Sequence, residues 1–305
     1  MSGEHGHAGS SLATVPPAEN PPRVRPVTLT TRRLHRVGAR PGYAEYLYRI
    51  WTYRRFIAYD ARSRALNGNR RDRLGSAWLI LNPMLNGLTY YLIFGLFLRT
   101  GAGIENFVGY LIIGIFLFQF SARSITNSGR SIQQNRNVVQ AFSFPRAALP
   151  LAANLRELIA AIPVLTVMLL LVLLLPPTED VTWKWLLIFP AVALQWTFNL
   201  GIGLILARVI SKTNDVVHLL GFALRAWMYA SAVFYSYERF IDHPVLLQVV
   251  QLNPLFKVLD IVRDCLLYNQ LPSWQSWAVL GGWAAGTLIV GSIFFWRAEE
   301  TYGRG

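Results

Sequence analysis

The chain has 305 residues, of which 53% are hydrophobic and 15% are charged, and its mean hydropathy is +0.34. Soluble domains carry about 25% charged residues, so this composition excludes an ordinary soluble domain and indicates an integral membrane protein. The formal net charge of +13 lies mostly on arginines that precede or flank apolar runs. That placement favours a positively charged membrane anchor over nucleic-acid binding, because no recognisable nucleic-acid module accompanies the charge.

The beginning of the chain is polar and then becomes amphipathic. Residues 1–40 are rich in Pro, Gly, Ser and Arg and lack an apolar run, which predicts a disordered cytoplasmic tail. Residues 41–73 predict an amphipathic helix in the membrane surface, although a helix packed on another protein face would give the same pattern. The residues predicted to face inward are Tyr43, Leu47, Ile50, Tyr53, Ile57 and Ala61.

Residues 74–296 predict a transmembrane permease domain, followed by a short tail at 297–305. Each of its six apolar runs approximates the ~20 residues needed to cross a bilayer. Six crossings place both termini on one side, and the Lys and Arg residues of the loops identify that side as cytoplasmic. The predicted fold is an all-α integral membrane protein with six transmembrane helices, at about 74–98, 107–126, 147–175, 183–209, 216–237 and 276–296.

A basic segment at residues 127–145 separates the second and third spans and contains no acidic residue. Ile132, Val139 and Phe142 recur at helical spacing, which predicts a short cytoplasmic helix with one apolar side that ends at Pro145. A basic helix of this kind is either a docking element for a cytoplasmic partner or a solvated connection that fixes topology. The residues alone leave both interpretations open.

The segment 243–271 is apolar but is interrupted by Asn253-Pro254, so each half is too short to span. Two short helices on the outer side are predicted, which dip into the membrane or cover a pore mouth. The alternative is a plain extracellular helical hairpin. Cys265 lies here as the sole cysteine, which excludes an intrachain disulfide and favours a free buried thiol.

Charged and aromatic side chains fall within the predicted spans. Arg225 and Glu157 lie about ten residues from the cytoplasmic start of their spans, so we hypothesise that they pair and leave Arg156 near an anionic substrate group. The alternative places Arg156 and Glu157 at the cytoplasmic interface. Aromatic residues of the first and fifth spans could line a path for sugar rings or could simply pack; they are Tyr90, Tyr91, Phe94, Tyr229 and Tyr235.

No catalytic constellation is visible in the sequence. It contains no GxxxxGK[ST] loop, GxSxG elbow or HExxH motif, and its five histidines are scattered, so no metal site is expected. The adjacent acidic pairs Glu179-Asp180 and Glu299-Glu300 are predicted to be solvated charges in a turn and in the tail. A membrane enzyme that acts on lipid-linked sugars is therefore the second hypothesis.

Several stretches together resemble the membrane subunit of ABC-2-type exporters of polysaccharides, O-antigen and teichoic acid. The resemblance runs from about Tyr43 to the C-terminus, and it rests on the order and spacing of the stretches, since none is specific alone. Asn214-Asp215 departs from the Arg-Asp common in the family, and the N-terminal tail is longer. The matching stretches are RDRLGSAWLILNPML (71–85), QNRNVVQAFSFPRAALPLAANL (134–155), ISKTNDV (210–216), SAVFYSYE (231–238), LNPLFKVLDIVRDCLL (252–267) and FFWRAEETYG (294–303).

The resemblance implies a homodimer in the bacterial inner membrane that works with two copies of a separate ATPase. ATP and Mg would bind to that partner, so this chain would need no cofactor and no catalytic residue. The substrate would be a lipid-linked polysaccharide. The scarcity of lysine among the basic residues suggests a GC-rich genome and, within the family, a likeness to the galactan-lipid exporters of mycobacteria and relatives.

The resemblance also implies roles for named residues. Residues 41–73 would form an interface helix, the segment 127–145 would carry the coupling helix, and the segment 243–271 would form outer gate helices. The implied ATPase-coupling residues are Arg130, Gln134, Asn135, Arg136, Val139, Phe142 and Phe144. The implied outer-gate residues are Asn253, Pro254, Phe256, Leu259 and Arg263. A non-transporting membrane scaffold is the third hypothesis, and it predicts no stimulation of any ATPase.

Overall fold

The structure is a computed structural model that describes residues 41–67, 75, 77–98, 104–142, 144–236 and 244–302. The predicted tail 1–40 lies outside these residues. Every regular element of the described ranges is helical, in agreement with the predicted all-α class. In chain order the helices are α1 (Tyr43–Thr52), α2 (Arg54–Asn67), α3 (Ala77–Tyr90), α4 (Phe107–Gln134), α5 (Arg136–Ala141), α6 (Ala148–Leu174), α7 (Ile188–Lys212), α8 (Val216–Ala230), α9 (Pro244–Leu252), α10 (Pro254–Leu266) and α11 (Trp274–Trp296).

Five helical segments are long and apolar enough to cross a membrane. Two of them include other helix types, because α3 continues into a π-helical stretch at Tyr91–Phe97 and a 3-10 turn at Trp183–Leu187 precedes α7. The predicted fifth span, 216–237, is the exception: α8 has 15 residues and is followed by a non-helical segment at 231–236. The five qualifying segments are Ala77–Phe97, Phe107–Gln134, Ala148–Leu174, Trp183–Lys212 and Trp274–Trp296.

The centre of the bundle is α4, which packs against α6 on one side and α7 on the other. Polar side chains bridge the three helices inside an otherwise apolar core. Asn154 hydrogen-bonds Ser124 and also donates to the carbonyl of Trp196 at 3.2 Å, and Gln195 donates to the Ser121 hydroxyl at 2.8 Å. Such bonds stabilise helix association in membranes, where the hydrophobic effect cannot drive one apolar helix against another.

Backbone contact between α7 and α11 depends on two glycines. A Cβ atom added to Gly201 would overlap the backbone of Thr287, and one added to Gly291 would overlap the carbonyl oxygen of Gly201. Small residues allow two helix backbones to approach closely inside a membrane. The last span is therefore held against α7 at a point where no side chain larger than hydrogen fits.

The predicted amphipathic helix 41–73 is two helices, α1 and α2, separated by a break at Tyr53. Of the residues predicted to face the membrane, Ile57 and Ala61 are buried within the protein, whereas Leu47 and Tyr53 are exposed. Tyr46, which was not in that set, is also buried. The buried faces of α1 and α2 are out of register because of this break. The spacing of apolar residues expected for one continuous helix therefore does not describe both.

Candidate coupling surface and translocation path

One end of the bundle, here called the basic end, is formed by the C-termini of α4, α7 and α11 and by α5. The sequence predicted a coupling helix within 127–145, and the structure divides this segment differently. Arg130 and Gln134 belong to the last turns of α4, Asn135 lies between the helices, and Arg136 opens the six-residue α5. The predicted coupling segment is therefore an extension of α4 followed by a short helix.

Of the three apolar residues predicted on one side of the coupling helix, Ile132 and Val139 are buried and Phe142 is exposed. Val139 is 3% exposed and packs in a cluster with Tyr46, Ala298 and Tyr302. Phe142 follows the end of α5 and is 67% exposed. The packed side fixes α5 to the body, and the exposed ring leaves an apolar group available to a partner.

Two further predicted coupling residues fasten the segment to α2. The ring of Phe144 lies 6.4 Å from that of Phe56, measured between centroids, at a tilt of 57°. The Asn135 side chain accepts a hydrogen bond from Arg64 at 3.3 Å and donates one to the carbonyl of Ser131 at 2.8 Å. The helix that precedes the first span therefore contacts the coupling segment directly.

Sequence reasoning missed the polar cluster that holds the basic end together. Glu299 was predicted to be a solvated tail residue, but it is 7% exposed. Its carboxylate accepts hydrogen bonds from the Tyr46 hydroxyl at 2.8 Å and from the Arg146 backbone N–H at 2.9 Å. The Arg146 guanidinium donates to the Glu299 carbonyl, and the Ala147 N–H donates to the Tyr46 oxygen at 3.3 Å. This Glu299 cluster joins α1, the start of α6 and the tail.

The electrostatics of the Glu299 cluster follow from its burial. Burial raises the pKa of Glu299, while the hydrogen bonds from Arg146 and Tyr46 and the charge of Arg146 oppose that rise. Burial beside this carboxylate also raises the pKa of Tyr46 and of Tyr302, so both phenols stay protonated. A protonated Tyr46 is the donor that the Glu299 carboxylate needs.

Three of the five predicted path aromatics contact the ring of a residue that the sequence did not single out, and a fourth bonds to one of these three. Phe234 is completely buried, and its ring stacks on Phe94 with centroids 4.5 Å apart at 8°. Tyr90 and Tyr229 lie 4.7 and 5.5 Å from the same ring, and the Tyr235 hydroxyl donates to the Tyr229 carbonyl at 2.6 Å. Tyr229 remains 48% exposed. The cluster thus joins the end of the first span to the segment after α8. The fifth predicted aromatic, Tyr91, is half-buried and packs against the main core.

The hypothesised ion pair between Arg225 and Glu157 does not form in this structure. Glu157 accepts a hydrogen bond from Asn127 at 2.8 Å and pairs with its neighbour Arg156 at 3.2 Å. Arg225 is exposed on α8 and donates to the Gly221 carbonyl at 3.3 Å. The side chains differ because α6 packs on α4 through its Glu157 face, whereas Arg225 projects from the uncovered face of α8.

The predicted gate helices exist as α9 and α10, and Asn253 joins them to α8. Its side-chain oxygen accepts from the Leu255 N–H at 3.1 Å and from the Trp227 indole at 2.9 Å, while its amide donates to the Ser231 hydroxyl at 2.9 Å. Pro254 follows at the first helical position, where its missing N–H costs nothing. The same Asn253 side chain therefore caps α10 and holds the end of α8 against it.

The other predicted gate residues lie inside the packed body. Phe256, Leu259 and Arg263 are 2%, 0% and 3% exposed. The Arg263 guanidinium donates to the carbonyls of Ala232, Tyr110 and Val233 at 3.1 to 3.3 Å, and it lies over the Tyr110 ring. Arg263 therefore satisfies backbone oxygens that the non-helical segment after α8 leaves free, as membrane burial requires. The thiol of Cys265 is buried and free, as predicted.

The family model described as ABC-2 type transporter matches residues 62–267. This chain belongs to the ABC-2 type transporter family. The O-antigen export system permease protein RfbA of Myxococcus xanthus is 28% identical over 241 residues, which cover 76% of this chain and 88% of that protein. Two proteins of the same name from Klebsiella pneumoniae are 27% and 28% identical over 206 and 201 residues, covering 66% and 65% of this chain and 76% and 74% of those proteins. As a family member with several apolar helices, the chain is a multi-pass membrane permease, and the predicted family resemblance is confirmed.

Proposed function

We propose that this ABC-2 chain pairs with a second copy of itself to export a lipid-linked polysaccharide, of O-antigen or galactan type, across the bacterial inner membrane. A separate ATPase, in two copies, binds at the basic end and supplies the work. Permeases that are similar to this chain carry the name O-antigen export system, which supports the substrate class. The lack of a P-loop in the sequence supports a separate source of ATP hydrolysis.

The observation that carries the proposal is the contrast between Val139 and Phe142. One side of the coupling segment is buried in the body of the protein, whereas Phe142 after its end and Arg136 at its start are exposed. Aromatic and arginine side chains are enriched at the centres of protein interfaces. A partner that displaces Phe142 would move α5 and, through the continuous α4, the core of the bundle.

Orientation follows from charge in this proposal. The basic end carries Arg130, Arg136, Arg146, Arg208 and Lys212, so it faces the cytoplasm, where the ATPase and its ATP and Mg are found. Both termini are then cytoplasmic, and α9 and α10 lie toward the outer side. There Asn253, Phe256 and Leu259 hold the gate helices against the bundle while the exposed side of α9 contacts lipid or the second copy.

We infer that the glycan path runs along α8 and along α3 with the π-helical stretch that continues it. These elements carry large exposed apolar side chains. Leu88, Leu96, Leu219 and Phe222 are each more than half exposed in the single chain. A face of this kind is covered either by lipid or by the second copy, and the half-exposed Tyr229 lies near the end of α8. Tyr90, Phe94, Tyr229 and Tyr235 would then offer ring faces to passing sugars, with Arg225 at the edge of the path.

The proposal is tested by co-expressing the chain with candidate ABC-type ATPase subunits from the same genome and measuring ATP hydrolysis after reconstitution. A subunit of an exporter predicts co-purification and an ATPase rate that rises when the glycan lipid is added. A membrane enzyme predicts covalent turnover of the glycan lipid by the chain alone. Co-purification without any effect of the glycan lipid on the ATPase rate would contradict export and favour a scaffold.

A further inference from the structure

A charged cavity of about 340 Å³ opens between α2, α3, α4 and α6, away from the Phe234 aromatics. Its volume lies within the ~300–1,000 Å³ range of small-ligand sites. Three of its lining residues are arginines on three different helices, and one is a carboxylate. The polar and aromatic side chains that line it include Arg64, Arg123, Arg156, Trp78, Asn127 and Glu157.

The three arginines differ in how their charges are compensated. Arg64 pairs with Asp60 at 2.8 Å, and Arg156 pairs with Glu157 at 3.2 Å. Arg123 donates to the neutral side-chain oxygen of Gln119 at 3.1 Å, and the ion pairs found among the described residues do not include it. Glu157 is also shared, because it accepts from Asn127 at 2.8 Å. The cavity therefore holds a net positive charge.

The place of Arg123 in α4 makes this excess positive charge informative. Arg123 lies eleven residues before the end of α4 at Gln134, and three residues before the predicted cytoplasmic end of the span at residue 126. An arginine within a membrane span is costly unless it meets an opposite charge or water. In this cavity the guanidinium of Arg123 faces a space large enough for an anion.

A second cavity borders the first but is much smaller, about 20 Å³. It shares Arg123 and Glu157 with the charged cavity, and its other walls include Pro83, Phe116 and Val164. It is too small for a hydrocarbon chain, but α3, which forms one wall of the charged cavity, carries large exposed apolar side chains. A ligand with an anionic head in the charged cavity and a hydrocarbon chain along α3 would use both surfaces, whereas a soluble anion would gain nothing from the apolar one.

We propose that the α2–α3–α4–α6 cavity binds the phosphate of an anionic lipid, with Arg123 and Arg156 as its ligands. The planar guanidinium groups suit the paired oxygens of a phosphate. Glu157 holds Arg156 in place when the lipid is absent and competes with the phosphate for it. The lipid is either the diphosphate carrier of the glycan or a bulk phospholipid, and the binding chemistry is the same for both.

The test measures lipid binding to the purified full-length chain in uncharged detergent, without an ATPase and without glycan. The probes are farnesyl diphosphate, dioctanoyl phosphatidylglycerol and the uncharged dioctanoylglycerol, with affinity read by microscale thermophoresis. Arg123→Gln and Arg156→Gln should each weaken both phosphate probes by about tenfold, the loss of one charge-assisted contact. Binding of dioctanoylglycerol should change less than twofold.

Two further variants separate loss of a ligand from loss of the fold. Arg62→Gln removes the same charge from the exposed surface of α2, outside the cavity, and should leave all three affinities within twofold. Glu157→Gln removes the competing carboxylate and should tighten both phosphate probes several-fold, which misfolding cannot produce. Unchanged binding in Arg123→Gln, an equal loss in Arg62→Gln, or no gain in Glu157→Gln would each overturn the proposal.

The two probes also identify the source of the phosphate. A preference of tenfold or more for farnesyl diphosphate supports a site for the diphosphate of the glycan carrier, and this reading rests on the proposed export function. Equal affinities support a site for bulk phospholipid that holds the bundle in place. Because the assay contains neither ATPase nor glycan, failure of the export proposal would leave its outcome unchanged.

Discussion

The Tyr46 hydroxyl donates a 2.8 Å hydrogen bond to the carboxylate of Glu299, across 253 residues of sequence. The bond joins α1 to the tail after the last span, and Arg146 brings the start of α6 to the same carboxylate. Val139 of the coupling segment packs in the hydrophobic cluster that contains Tyr46. Any force applied to α5 therefore reaches three separate parts of the chain at once.

Removing this hydrogen bond should destabilise the protein. Tyr46→Phe leaves a buried carboxylate with one donor fewer, and hydrogen bonds to charged groups contribute about 1.5–3 kcal/mol. A lowered midpoint of thermal unfolding in detergent is expected. Tyr48→Phe is the matched control, because Tyr48 lies on the same helix and is 71% exposed. Equal midpoints for Tyr46→Phe and Tyr48→Phe would show that the bond contributes nothing.

The stability of the Glu299 cluster should depend on pH with a definite sign. Burial raises the pKa of Glu299 in the folded protein above its usual value of about 4.3. A raised pKa favours folding below the unfolded pKa, and this contribution is lost as pH rises through the folded pKa. The wild type should therefore lose stability relative to Glu299→Gln as the pH rises from about 4. A difference in unfolding midpoint that stays constant across this range would contradict the raised pKa.

The close approach of α7 and α11 gives a paired test of packing. Gly291→Ala places a methyl group against the Gly201 carbonyl, so overpacking should cost about 1–3 kcal/mol. Gly286→Ala on the same helix meets open space, and it should be neutral or stabilise by about 0.4–1 kcal/mol. Unfolding midpoints of the two variants should shift in opposite directions. A shift of the same sign and size in both would mean that the helices do not touch at Gly291.

Substitutions on the two sides of the coupling segment should have different effects, one on stability and the other on coupling to the ATPase. Phe142→Ala removes an exposed ring, so the unfolding midpoint should hardly change while stimulation of the ATPase falls about tenfold, as for an interface hot spot. Val139→Ala truncates a buried side chain, so it should lower the midpoint. If Phe142→Ala stimulated the ATPase as well as the wild type, the proposed docking role of that ring would be wrong.

Local patterns in the sequence predicted the elements that depend on local physics. The apolar runs located the long helices, and Asn253-Pro254 located the boundary between α9 and α10, because a capping side chain and a proline act on adjacent residues. The family resemblance was also visible in the order of the motifs. These features need only the chain within a few turns of each position.

Long-range contacts explain what the sequence did not reveal. Glu299 reads as a solvated tail residue because its partners Tyr46 and Arg146 are far away in the chain. The central position of Phe234 in the aromatic cluster depends on the non-helical segment after α8. The sequence did not reveal this segment, because it belongs to an apolar run that is long enough for one continuous span. The pairing of Glu157 with Arg156 rather than Arg225 depends on which face of α8 is covered. In each case tertiary packing decided among side chains that look equivalent in sequence.

In the proposed exporter, the exposed end of the coupling segment meets a cytoplasmic ATPase. The most direct measurement places one cysteine at position 142 in a Cys265→Ser background and treats cells with a membrane-impermeant maleimide and a short thiol cross-linker. Labelling only after permeabilisation and a cross-link to the ATPase are expected. Labelling of intact cells from outside, without any cross-link to the ATPase, would contradict it.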